Sequence, residues 1–322
     1  MKKLNIIYVF IFLLGCEQNE IPIKQHSSGN ITSKQINMGS SYSQQIFYSL
    51  NDNTVITENE KTDWDLAFES SSEGWNIIIN SSTFSQLAEL SDINFNDLIS
   101  VNNLNWRYDN PLGIKYGTAF KDYRNKNSVY IVDRGYNLSG NKRGYKKIII
   151  DSINNTSYYI KYANLDNTNF QNLEIKKDNT YNFQYLSLDN NETINIEPKK
   201  ENWDLLFTQY THLFLDNEET PAYLVTGALT NYLNNIMVAT DTINTFQDIE
   251  LNMIGQYNFT NMQNKIGYDW KSYNFSSQSY NVNPNITYII TDIDGRYFKL
   301  HFIDFYNDNG EKGYPKFEIQ EL

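Results

Sequence analysis

The residues that could carry chemistry are few. Cys16 is the only thiol, and His26, His212 and His301 are the only imidazoles, in 322 residues. A lone cysteine excludes a disulfide framework and any multi-cysteine metal site. A three-histidine zinc site would require all three imidazoles to converge. The sequence contains no His-Glu-x-x-His, Gly-x-Ser-x-Gly, P-loop or Gly-x-Gly-x-x-Gly pattern. Carboxylates are abundant, but a glycosidase pair is defined by separation in space, and no sequence spacing singles one out. Asp292-x-Asp294-Gly295 and Asn307-Asp308-Asn309-Gly310 offer oxygen donors. Both depart from the spacing of a calcium-binding loop and read as hairpin turns, the first as a type I′ turn. The chain therefore reads as non-enzymatic, without a metal centre.

Composition agrees. The chain is 40% hydrophobic and 15% aromatic, with 25 Tyr and 18 Phe, which supplies a large core and excludes wholesale disorder. A net charge of -12 excludes nucleic acid as a partner, because phosphate binding needs a basic surface.

The N-terminus sets the address. Lys2 and Lys3 precede an apolar run over 4–14, too short to span a bilayer, which takes about 20 residues. The run closes on Leu13-Leu14-Gly15-Cys16, which resembles the lipobox of bacterial lipoproteins. That resemblance implies a signal peptide over 1–15, acylation of Cys16 with groups such as palmitate, and lipid anchoring at the outer membrane. Residues 16–36 are polar and read as a flexible tether.

Beyond the tether, strand signals dominate: β-branched and aromatic runs at 45–50, 76–80, 128–132, 145–150 and 158–162. Similar runs follow at 181–188, 222–229, 286–291, 297–305 and 316–320. Short helical candidates lie at 84–90, 95–99 and 246–251. Landmarks recur in order. Trp64-Asp65-Leu66-Ala67-Phe68 is answered by Trp203-Asp204-Leu205-Leu206-Phe207. Phe95-Asn96-Asp97-Leu98 is answered by Phe246-Gln247-Asp248-Ile249, and Trp106 by Trp270. We read a tandem duplication, with a first β lobe over 37–170 and a second over 171–322. Period-2 alternation in Trp-Asp-Leu-x-Phe places Trp, Leu and Phe on one core face, with Asp opposite, near a turn.

The second half resembles the HmuY-like haem-binding lipoproteins. The likeness is carried by 202–212, by Tyr223-Leu224-Val225-Thr226-Gly227, by Ile266-Gly267-Tyr268-Asp269-Trp270, by 288–295 and by 298–315. It extends more weakly over 37–170. It implies an all-β fold of antiparallel sheets in two HmuY-like lobes with a few short helices. It also implies haem held between two axial His or Met side chains and passed to an outer-membrane receptor. One familiar His position falls near Phe275, which cannot ligate iron, and the other falls in a window that holds Met237, Met253 and Met262. Thioethers are competent soft ligands. The axial candidates are thus Met237, Met253, Met262 and His212. His301 reads as an ordinary strand residue on the polar face of its sheet. The competing reading is a non-haem β-rich module that recognises glycan or protein through its many Tyr.

Cys16→Ser should abolish incorporation of labelled palmitate and move the protein from the membrane to the soluble fraction. Retention of label would place the acyl group elsewhere.

Overall fold

The computed structural model describes residues 28–114, 117–214 and 221–322. The signal peptide expected over 1–15, Cys16 and His26 lie outside them. The first described elements are a short strand β1 (Thr32–Gln35) and a hairpin, β2 (Gln44–Ser49) and β3 (Thr54–Glu60). There follow β4 (Leu66–Glu69), β5 (Ile77–Ile79), β6 (Gln86–Leu90), β7 (Trp106–Arg107), β8 (Val129–Asp133), β9 (Tyr145–Ile153) and β10 (Ser157–Ala163). Then come β11 (Gln171–Lys176) and a second hairpin, β12 (Phe183–Ser187) and β13 (Glu192–Ile194). The chain ends with β14 (Leu205–Leu213), β15 (Ala222–Thr230), β16 (Met237–Asp241), the ribbon β17 (Lys271–Asn274) and β18 (Ser279–Val282), β19 (Thr287–Thr291), β20 (Tyr297–Tyr306) and β21 (Lys312–Glu321). The protein is all-β with antiparallel sheets, as the residue types predict.

Pairing reveals the duplication. One large sheet runs β11-β10-β9-β8-β6-β7, and its counterpart runs β1-β21-β20-β19-β16. Two smaller sheets run β13-β12-β4-β5 and β3-β2-β14-β15. Each half thus lends its first three strands to the sheets of the other. Strand pairing groups β4–β13 as one contiguous lobe, and groups β1–β3 with β14–β21 as a lobe interrupted by it. The sheets therefore do not separate at the expected 170/171 division. Nor does the tether extend to 36. Thr32–Gln35 pairs with Lys316–Ile319, and Ile36 is buried, because an apolar residue beside a free strand edge gains by docking.

The two copies match in detail. The Trp64 and Tyr185 rings meet edge to face at 4.9 Å, and so do Trp203 and Phe47 at 5.0 Å. The Asn80 side-chain amide donates to Lys61 O and Trp64 O, while that of Asn231 donates to Lys200 O and Trp203 O. Lys147 caps the carbonyl of Asp97, and Lys299 caps those of Phe246 and Ile249. Most decisive are the two motif aspartates. Leu188 N donates to Asp65 Oδ2 at 2.8 Å, and Leu50 N donates to Asp204 Oδ2 at 2.7 Å. Each Trp-Asp motif therefore holds the end of a hairpin supplied by the other half.

These contacts correct the one-face reading of the motif. Leu66 and Phe68 fill the core of the contiguous lobe, whereas Trp64 and Ala67 face the other way, into a core shared by both lobes. Leu205 and Phe207 likewise enter the second lobe's core, and Trp203 the shared one. The strand is apolar on both faces because it lies between two packed layers. Asp65 is buried, not near solvent, and Arg134 and Arg143 surround it at 2.9 and 3.0 Å.

Two local expectations also change. Residues 86–90 form a strand paired on both sides, by β7 and β8, and the helical segments are single short 3-10 turns such as Phe246–Asp248. In the Asp294-Gly295 turn only Gly295 has positive φ, and Asp292 N bonds Arg296 O. This is a three-residue loop with a left-handed glycine, not a type I′ turn.

Asp65→Ala would take from two buried guanidinium groups their buried carboxylate, leaving them the exposed Asp189, and should lower unfolding free energy by about 3–5 kcal/mol. Asp204→Ala, which orphans chiefly one backbone N–H, should cost about 1–3 kcal/mol. Urea denaturation of the two variants checks the order. Equal, small losses would show that the hairpin ends do not depend on these carboxylates.

Candidate functional site

The shared core between the lobes is not fully packed. A cavity of about 100 Å³ lies there, walled by Trp64, Phe183, Tyr185, Trp203, Leu206 and Tyr210. The strand exchange positions these groups. β2 and β14 bring one wall, β12 and β5 the other, and the segment 109–114 covers one side.

Two carboxylates are built into the lining. Glu197 accepts from the backbone N–H groups of Asn182 and Phe183 and from the Tyr185 hydroxyl. Burial raises its pKa to about 8 against the pull of those donors. Asp109 is half-buried as a residue, but its carboxylate is enclosed. It accepts Ile79 N at 2.8 Å and Ala119 N at 2.6 Å, and burial raises its pKa to about 7. It ties the start of the covering segment to β5 and to Ala119. Gly113, at φ +69°, lies so close to the second lobe that a Cβ would meet Gln263 at 2.8 Å and the Tyr232 ring at 3.0 Å.

The two tryptophans are equivalent in fold and unlike in bonding. The Trp64 indole N–H donates to Gln45 Oε1 at 2.8 Å. In the matching pairs, Tyr48 opposes Leu205 and Leu186 opposes Leu66, so the counterpart of Gln45 is Phe183. Phenylalanine cannot accept. Among the described residues the Trp203 N–H is consequently buried without a partner, as is the Tyr210 hydroxyl, which lies near Gly267. Sequence reasoning assigned these aromatics to core, correctly, and missed the cavity. The signal it passed over was the Gln45/Phe183 mismatch between the copies.

The sequence-derived ligand candidates lie elsewhere, and none lines the cavity. Met237, 38% exposed, opens β16. Met262, 43% exposed, follows Thr260, whose backbone exchanges hydrogen bonds of 2.8 and 3.0 Å with Val238. These two are thus carried on adjoining backbone. Met253 instead sits in the Leu251–Gln256 turn, where its sulfur accepts Glu250 N at 3.5 Å. His212 lies on β14, edge-on to Phe214 at 4.9 Å and Tyr268 at 5.0 Å, and burial lowers its pKa while Asp269 raises it. His301 is buried, with Nε2 2.9 Å from Glu318 and its ring stacked on Phe246 at 4.1 Å. It is a packed, partnered residue, not one on an open polar face. Phe275 is 85% exposed at the ribbon tip.

Comparison with known proteins places this geometry. A family model described as HmuY protein matches residues 41–181 and again 179–319. Among solved structures, apo PinO from Porphyromonas gingivitis aligns at 9% identity and a TM-score of 0.31, covering 91% of this chain and 97% of its own. An apo HmuY analog from Tannerella forsythia aligns at 16% identity and a TM-score of 0.25, covering 55% and 94%. An HmuY-like heme binding protein from Bacteroides vulgatus aligns at 15% identity and a TM-score of 0.20, covering 42% and 82%. No curated protein matches the chain.

Glu197→Gln tests the buried carboxylate. A raised folded-state pKa means that the native state holds the proton more tightly than the unfolded chain does. That stability is present in full below the unfolded pKa near 4.3 and is lost as pH rises towards about 8. The wild-type protein should therefore lose urea resistance relative to Glu197→Gln between pH 5 and pH 8. Parallel pH profiles would show that Glu197 does not titrate in this window.

Proposed function

Because the chain belongs to the HmuY family, matched in both halves, we propose that it is a binding protein of the cell envelope. It is anchored through lipid on Cys16 at the outer membrane and captures a ligand for transfer to an outer-membrane receptor. Haem is the ligand the family favours, and the double family match is the observation that carries the reading.

Haem capture needs soft or imidazole ligands with access to iron. Met237 and Met262 meet that need best. Both are exposed and lie on adjoining backbone beside the Val238–Thr260 bridge. Met253 and His212 are less available, the first engaged at its sulfur and the second set among aromatic rings. The interlobe cavity, at about 100 Å³, falls well below the roughly 300 Å³ at which pockets for drug-sized ligands begin, so a porphyrin would bind outside it.

A second reading has its own observation. On the β17–β18 ribbon, Tyr273 meets Phe275 at 5.2 Å and Tyr280 at 5.1 Å. Such an aromatic ladder on a protruding ribbon suits stacking against a glycan or another protein.

Haemin titration of the full chain in detergent, in ferric and ferrous states, separates the two. Haem capture predicts a sharpened Soret band that is lost when Met237→Ala and Met262→Ala are combined. No Soret change in either state would remove haem and leave the aromatic ribbon as the recognition surface. A band unaffected by the double substitution would move the axial ligands to other residues.

A further inference from the structure

We propose that the interlobe cavity binds a small, uncharged, hydroxyl-rich molecule of the polyol or single-sugar class, independently of whether haem is captured elsewhere. One buried donor of the lining, the Trp203 indole N–H, has no partner among the described residues. Trp203 is only 6% exposed, and an unsatisfied buried donor is costly enough that native proteins rarely keep one. The matching donor on Trp64 is satisfied by Gln45, so the fold can supply an acceptor at this position. The second copy has Phe183 there, and no described residue supplies the acceptor.

The lining defines the chemistry of that acceptor. An indole N–H can only donate, and lining side chains such as Asn110, Thr208 and Gln209 carry oxygens, so the occupant must carry an acceptor and can carry hydroxyl donors. The two lining carboxylates already take backbone N–H groups, and no Lys or Arg among the described residues lines the cavity, which disfavours an anion. Aromatic rings on both sides suit the C–H faces of a small ring. The volume of about 100 Å³ admits a few waters or one small molecule. Exposed Ile114 and Leu233 are also among its lining residues, where the 109–114 segment meets the second lobe.

Isothermal titration of the full chain in detergent with glycerol, myo-inositol and D-galactose, and with citrate as the anionic comparison, tests the assignment. At least one neutral probe should give saturable heat. Trp203→Phe should weaken that binding about tenfold, the loss of roughly one hydrogen bond. The same variant should be no less stable than wild type without probe, because it removes an unsatisfied donor. Trp106→Phe, outside the cavity, should bind as wild type does. If Trp203→Phe does not fold, Phe183→Gln, which restores the acceptor that Gln45 gives Trp64, carries the same expectation of weakened binding. Absence of saturable heat with all three neutral probes, undiminished binding by Trp203→Phe, or citrate binding as tight as the best neutral probe would each overturn the proposal. Haemin titration reads none of these quantities, so its outcome leaves this test intact.

Discussion

The rest of the structure depends on two hydrogen bonds that cross between the halves: Leu188 N to Asp65 and Leu50 N to Asp204. Each joins the Trp-Asp motif of one half to the hairpin end of the other. A buried backbone N–H must find an acceptor, and a buried carboxylate must find donors, so each bond solves both problems at once. Neither half closes its own sheets. The lobe β4–β13 takes its outer hairpin from the second half, and the second lobe takes β1–β3 from the first. The two halves are therefore coupled by strand pairing and the two lobes by side-chain packing in the shared core, and a tandem repeat becomes one cooperative body.

Such exchange forces the faces of the inner sheets together. Trp64, Phe47, Tyr185 and Trp203 form the shared core because the strands that carry them are apolar on both sides. The two copies have since diverged most tellingly at one position. Gln45 gives one tryptophan an acceptor, while Phe183 withholds it from the other. An exact two-fold would leave this core uniformly satisfied. The asymmetry leaves a polar void beside Trp203, which distinguishes an interface that only holds from one that can also bind.

The expected haem ligands and the cavity lie in different parts of the molecule. Of the thioethers expected as ligands, Met237 at the start of β16 and Met262 after the Val238–Thr260 bridge are carried on adjoining backbone, while Met253 sits apart in the Leu251–Gln256 turn. The separation of Met253 follows from the 3-10 turns at Phe246–Asp248 and Leu251–Gln256, which fold that segment back against the sheet. The Lys299 side chain fixes the fold-back by donating to two of its carbonyls, as Lys147 does for the corresponding segment of the first half.

Much was legible in the sequence. Alternating β-branched and aromatic runs bounded by Asn, Asp and Gly determine strands, because side-chain period and turn chemistry are local properties. The ordered landmarks around the two Trp-Asp motifs determine the duplication, since their order survives wherever the same packing must be rebuilt, even where loops lengthen. What the sequence left undecided was partnership. A hairpin such as Gln44–Ser49 with Thr54–Glu60 pairs as well with its own half as with the other in local terms. Only the tertiary structure chose the exchanged arrangement, placed Trp64 and Trp203 across one shared core and left the Trp203 indole N–H without an acceptor among the described residues. Those outcomes depend on contacts between residues more than a hundred positions apart, as with Leu50 and Asp204, and local periodicity carries no record of them.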